Sequence, residues 1–453
     1  MLLFEGCTAD GEEAAVTAEC TTRSGFSFQR KLAIDFEGGE ITQEAGLVLL
    51  REFDERLGLT RDLSECVVDG RDRRYVKHTT SDLLRQRIYQ IAAGYEDAND
   101  ATYLRMDPTF QTVVGRLGAP LASQPTLSRL ERTATWADIH RLGRTDLDWY
   151  CRHGQGKSRE VILDIDSTQD PTHGQQELSF YNGHYDGHVY HPLLVFEGEG
   201  GFLLGSRLRA GNESGVTRLV PMLDRIVPRL RRLPGKKLVV RADGDFGCRE
   251  LIEYCRGRGM EFVLGLRGNS RLEPWIEPIR EKLQATYETT GKPQRRYTSF
   301  RYQARTWKRP ERVVAMVEHG DQGPNLRLIV TNRRGRAKEI FRFYNQRGQA
   351  ENYIKELKNE VAADRLSCHG FRANAFRLAL HGLTYNLLTL FRQHALARTR
   401  LERASIGTIR LRLLKIGARV KRTTRRWWFH LASGWPGQPL FLGVLDAMPR
   451  PPG

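Results

Sequence analysis

The chain has 453 residues, 40% of them hydrophobic and 9% aromatic, which suits two or three globular domains and excludes a disordered tail. Lys and Arg number 71 against 54 Asp and Glu, a formal net charge of +17. No apolar run approaches the roughly 20 residues of a membrane span. The start, Met1-Leu2-Leu3-Phe4-Glu5, lacks the basic flank of a secretion signal, so a cytoplasmic protein is expected. Seven widely spaced cysteines without a C-x-x-C pair argue against a disulfide framework or a zinc knuckle.

In chain order, residues 1–25 are acidic and rich in Thr, Ala and Gly, and are expected to form a loose lead-in. Residues 26–154 read as a mostly helical region. A short strand is expected over 26–36. A helix follows on Leu47, Leu50, Phe53 and Leu57, stopped by Gly58. Another is capped at Thr80-Ser81-Asp82 and stopped by Gly94, and a third is capped by Thr126. Residues 155–265 alternate strands (160–168, 188–196, 237–243, 261–265) with helices (217–230, 248–256), the pattern of an α/β layer. Residues 266–340 read as a β-rich antiparallel insertion, on the pieces 297–302, 312–317 and 326–331. Residues 341–400 are helical again and 401–453 form a basic C-terminal region.

Charge is distributed unevenly. Residues 1–60 hold 12 acids and five bases, whereas residues 391–430 hold 12 bases and one acid, Glu402. Clustered cations of this kind point to a polyanion, because they release counterions from a phosphate backbone.

Three acidic positions stand out. Asp166 lies at the polar end of an apolar strand, with Asp164 two residues earlier on the same face. Asp243 closes a second strong strand, with Asp245 two beyond. Strand-end carboxylates either line a ligand crevice or cap the next turn. Glu351 sits in a run where Tyr344, Arg347, Glu351 and Lys358 are spaced by three, four and seven, which places them on one stripe of a helix. Cations that clamp phosphate beside a carboxylate that holds metal suit a phosphodiester; a solvated face with an Arg347–Glu351 pair is the plainer alternative. His184, His188 and His191 lie in turn and strand sequence without a matching ligand set, and are not expected to bind metal.

These residues carry a resemblance. Leu163-Asp164-Ile165-Asp166-Ser167-Thr168, His173-Gly174-Gln175-Gln176-Glu177 with Tyr181-Asn182-Gly183, Arg241-Ala242-Asp243-Gly244-Asp245-Phe246, and the Y-x2-R-x3-E-x6-K pattern at Tyr344, Arg347, Glu351 and Lys358 run through most of the chain. Together they resemble DDE transposases of bacterial insertion sequences, the IS4-like group and most closely the IS1380 family. The resemblance implies an α/β fold: an RNase H-like catalytic core over 155–265 and 341–400, the 266–340 insertion within it, and an N-terminal DNA-binding domain. It implies metal-dependent cleavage and transfer of DNA strands, with Asp166, Asp243 and Glu351 as ligands. Hard carboxylates suit Mg²⁺ or Mn²⁺, two ions about 3.5–4 Å apart. Arg347 and Lys358 would then contact phosphate and Tyr344 would position the DNA near the cut.

The partners expected are double-stranded transposon ends and target DNA, bound by a homodimer on paired ends. Arg71, Arg73, Arg74, Lys77, Arg85 and Arg87 are expected to place end recognition in residues 40–150. Arg425-Arg426 beside Trp427-Trp428 is expected to add backbone affinity and a stacking platform. In the insertion, Trp307 among Arg305, Lys308 and Arg309 is expected to be an exposed ring for a distorted DNA end, the alternative being the insertion's own small core. A nuclease on the same core, or a non-catalytic DNA-binding copy, are the competing readings.

Overall fold

The computed structural model describes residues 23–449, so the reading of the lead-in falls outside the described residues over 1–22. At the centre is an eight-stranded sheet of β1 (Glu160–Ser167), β2 (Leu193–Glu197), β3 (Leu203–Arg207), β4 (Lys237–Ala242), β5 (Glu261–Leu266), β6 (Gln294–Tyr302), β7 (Glu311–Gly320) and β8 (Gly323–Thr331). Its order is β6-β7-β8-β5-β4-β1-β2-β3. β1, β4 and β5 run parallel, and antiparallel strands extend the sheet on both sides. The middle strands are nearly continuous runs of Val, Ile and Leu because both faces are covered.

Helices α1 (Leu47–Leu57), α2 (Thr80–Ala93), α3 (Gln124–Thr133) and α4 (Trp136–Trp149) precede the sheet. Their ends follow the sequence closely. Gly58 and Gly94 take φ of 70° and 92°, the left-handed stop that glycine reaches without a Cβ penalty. A capping box between Thr79 and Asp82 opens α2, one residue earlier than expected. In α3, Ser123 takes the cap position, because Pro125 fits the first turn. Helices α5 (Glu273–Thr290), α6 (Ala337–Asn345), α7 (Gly348–Lys355) and α8 (Phe371–His394) follow. On one face of the sheet, α6 sets Ile340 and Phe341 against Val263, Val314, Met316 and Ile329. The 24-residue α8 is buried along most of its length and packs on α1, α2, α3, α4 and β3. No helix among the described residues is long and apolar enough to cross a membrane. The five described cysteines are all free thiols.

One expectation needs correction. Residues 188–196 are not one strand. Gly187–Tyr190 joins a small sheet with Asp170–Pro171 and Phe180–Asn182, and β2 starts only at Leu193. Pro192 lacks an N–H and interrupts the run. Residues 266–340 hold antiparallel strands, β6, β7 and β8, over the pieces read from the sequence. They contain the 18-residue α5, whose signal is blurred by Pro278 in its interior. β8 pairs with β5, so the β6-β7-β8 meander widens the central sheet.

A buried side-chain network closes the sheet's β3 edge. Asn386 of α8 accepts from Leu203 N and donates to Leu203 O, both at 2.8 Å. The same amide donates to both carboxylate oxygens of Asp146 at 2.9 Å. Burial pushes Asp146 up to about 8. A folded-state value above the unfolded one means this group's stabilisation is complete below about pH 4 and is lost as pH rises through 8. We expect Asp146→Asn, which fixes the neutral form, to flatten that decline by a few kcal/mol. Melting temperature against pH for both proteins checks it; parallel curves would refute it.

Candidate active site

The parallel strands β1 and β4 align Ile165 with Ala242, so Asp166 and Asp243 leave neighbouring strand ends at the same level. Asp166 is part-buried. Burial and the charge of Asp243 push its carboxyl up to about 6, against the opposing pull of Arg347. Asp243 is raised as well, first by burial and then by Asp245. It also accepts from Asp245 N at 3.0 Å, so it caps the turn and faces the site at once.

The neighbouring acids Asp164 and Asp245 are committed elsewhere. Asp164 is fully buried and takes two bonds from Arg241, at 2.6 and 2.7 Å. Asp245 is exposed and pairs with Arg267. Asp166 and Asp243 are therefore the two carboxylates that face one another.

Glu351 is brought to them by one residue. Arg347 Nη1 donates to Asp166 Oδ2 at 3.3 Å and Nη2 to Glu351 Oε1 at 3.4 Å. The continuous stripe expected from Tyr344 to Lys358 is broken. α6 ends at Asn345, a tight turn puts Arg347 N on Tyr344 O, and α7 restarts at Gly348, a poor helix former. Only the Arg347–Glu351 step keeps its helical spacing.

Tyr344 points toward β5 instead. A Cβ at Gly265 would lie 2.7 Å from the Tyr344 hydroxyl and 2.6 Å from Gly244 N. Gly265 is thus what lets the Asp243-Gly244 turn and Tyr344 close on the strand. A lone Gly within an apolar strand was its sequence signal.

Lys358 is turned inward. It donates to Thr168 Oγ1 at 3.4 Å and to Gln169 O, and lies 3.8 Å from Asp170. Burial pushes Asp170 up to about 8 against that cation. Lys358 therefore braces the segment after β1.

Asp166 and Asp243 suit a hard divalent cation: both carboxyls are raised by burial, Asp166 also by the charge of Asp243, and Arg347 is the only ion-pair partner of Asp166 among the described residues. Glu351 stands across Arg347, with its side chain 55% exposed. No group of three or more His, Cys, Asp or Glu side chains among the described residues is close enough to hold an ion.

Other expected DNA contacts divide. Trp307 is only 7% exposed and packs edge-on against Tyr302, so the core reading of that ring holds and it is no platform. Arg87 is buried against Glu131, and Arg85 is spent on Thr60 and Val114 O. Arg71 and Arg74 pair with Asp69 and Asp72. Arg73 and Lys77 remain exposed. At the other end, a hairpin of Ala418–Arg422 and Trp427–Leu431 carries Arg425 and Arg426 exposed at its turn. Trp427 lies under the Arg422 guanidinium at 4.2 Å, whereas Trp428 is 47% exposed and stacked parallel to His430.

Strand-end carboxylates tied by arginine to a helix-borne glutamate, in a strongly basic chain, are a site suited to phosphodiester chemistry. The chain belongs to the family described as Transposase DDE domain group 1, whose model matches residues 25–452. No curated protein matches it. Among solved structures it is similar to piggyBac transposase in a synaptic complex with hairpin DNA, at 11% identity and a TM-score of 0.41, over 82% of this chain and 80% of that one.

Proposed function

We propose that this protein is the transposase of a bacterial insertion sequence of the IS1380 type, which binds transposon ends and catalyses metal-dependent cleavage and transfer of DNA strands. The observation that carries the reading is that Asp166 and Asp243 leave neighbouring strand ends at one level while Arg347 links Asp166 to Glu351. An RNase H-like core is supported by the strand order β3-β2-β1-β4-β5, an antiparallel three-strand meander followed by two parallel strands.

Asp166 and Asp243 would hold Mg²⁺ or Mn²⁺, with Glu351 as third ligand. Bound there, two such ions supply an activated water or DNA 3′-hydroxyl and offset charge on the leaving oxygen. Arg347 keeps Glu351 and Asp166 at one place and offers guanidinium donors to a phosphate. Tyr344 and Gly265 fix the Asp243 turn. Lys358, held by Asp170, steadies the chain that leaves Asp166. A homodimer on paired ends and a cytoplasmic location complete the reading.

The assay is incubation with DNA that carries the element's terminal inverted repeats, in Mg²⁺. Cutting followed by joining is the expected result. Cutting alone would make the protein a nuclease, and binding alone would overturn catalysis.

The basic hairpin supplies sequence-independent affinity in this reading. Replacing Arg425 and Arg426 by Ala is expected to reduce the slope of log affinity against log salt by about two units, near 0.9 per lost phosphate contact. An unchanged slope would remove the hairpin from the DNA.

A further inference from the structure

We propose that the pocket between α4, β3, the helix Leu219–Leu230 and α8 binds a medium-chain carboxylate, its acyl chain on the pocket floor and its head on Arg207 and Arg225. The pocket has a volume of about 440 Å³, within the usual range of a small-ligand site. None of Asp166, Asp243, Arg347 or Glu351 lines it, so it is separate from the strand-end acids.

The floor is aliphatic. Leu147, Leu204, Met222, Ile226, Leu378 and Leu383 supply it from all four elements, and each is buried. No Phe or Tyr lines it among the described residues, so a flexible chain suits these walls better than a flat ring. Gly205 lets β3 and the helix Leu219–Leu230 close on one another: a Cβ there would lie 2.9 Å from Met222 Cε and 3.0 Å from Ile226 Cδ1. Gly143 keeps the other side open. It lies inside α4, a poor place for glycine, yet an added Cβ would meet no atom within 4 Å. Packing therefore does not require this glycine. It is exposed and lines the pocket, which puts it at the mouth.

The rim is cationic. Arg207 is half-buried, Arg225 is exposed, and neither makes an ion pair among the described residues. Burial and then the charge of Arg225 push the Arg207 guanidinium down, and burial, Arg225 and Arg207 push His140 down. These three groups crowd one another.

The acids nearby are spent. Asp138 pairs with Arg141, Asp148 with Arg229 at 2.9 Å, and Asp224 with Arg258 at 2.6 Å. Glu213 lies 4.0 Å from Arg218. Asp146, also in the lining, is pushed up to about 8 by burial, so near neutral pH its carboxyl does not oppose an anion. Crowded guanidinium groups repel one another until an anion joins them. A duplex backbone would meet that charge but leave the apolar floor in water, whereas an acyl carboxylate satisfies both.

The test is calorimetric titration of decanoate into the full-length protein at neutral pH. Wild type is expected to show saturable binding at one site. Decanol, which has the chain without the charge, and acetate, which has the charge without the chain, should each bind at least about tenfold more weakly. Arg207→Ala and Arg225→Ala should each weaken decanoate on the order of tenfold. Gly143→Phe should block the mouth and abolish binding, with a melting temperature no lower than wild type. Should Arg207→Ala or Gly143→Phe melt early, the exposed Arg225→Ala decides. No saturable decanoate site in the wild type, an affinity of Arg225→Ala equal to wild type, or an equal affinity for decanol would each overturn the proposal.

Discussion

Replacing Asp166 or Asp243 by Ala is expected to lower DNA strand cleavage by at least about 10³-fold, the scale of several kcal/mol of charge stabilisation. Glu351→Ala should show the same loss. DNA affinity should stay close to wild type, because these three side chains repel a phosphate. The folded state should also survive. Burial and the neighbouring Asp243 already penalise the Asp166 carboxylate, so its removal relieves a cost as well as breaking the 3.3 Å contact to Arg347. Cleavage at the wild-type rate by any one variant would remove that residue from the site. A loss of binding in step with cleavage would make the acids structural.

Two residues along the same strand the outcome reverses. Asp164→Ala or Arg241→Ala is expected to cost about 3–5 kcal/mol of stability, because each leaves its partner as an uncompensated charge in the core. Arg241 also donates to Phe343 O at 2.7 Å and lies over the Phe343 ring, so its loss removes one tie between α6 and the sheet. Any fall in cleavage would then follow the unfolded fraction. The double variant Asp164→Leu/Arg241→Met should be more stable than either single, since no lone charge remains. Denaturant unfolding of all three decides it. A double variant that is the least stable would show that the pair is net stabilising in itself.

The contrast between Asp164 and Asp166 also marks what the sequence could convey. The apolar run that makes β1 was readable, and so was the polar end that carries Asp166. Both carboxylates share a face, and nothing local separates them. The deciding partner, Arg241, is 77 positions away. The Asp243–Asp245 pair has the same character, settled by Arg267 from across a turn.

The stops at Gly58 and Gly94 were legible because their physics is local, and the cap of α2 was read one residue late, at Thr80 instead of Thr79. The α5 helix was masked by an interior proline, and the continuation of the sheet through β8 is a pairing that no local pattern encodes. Trp307 failed for a related reason. Arginines and lysines beside it in sequence suggested exposure, but its ring turns inward onto Tyr302.

The most direct test of the central claim, that Asp166 and Asp243 form a hard-cation site for DNA cleavage, is calorimetric titration of Mn²⁺ into the DNA-bound wild type and the Asp166→Ala protein. Saturable binding by the wild type that is lost or strongly weakened in Asp166→Ala is the predicted result. Equal binding by both proteins, or none by the wild type, would contradict it.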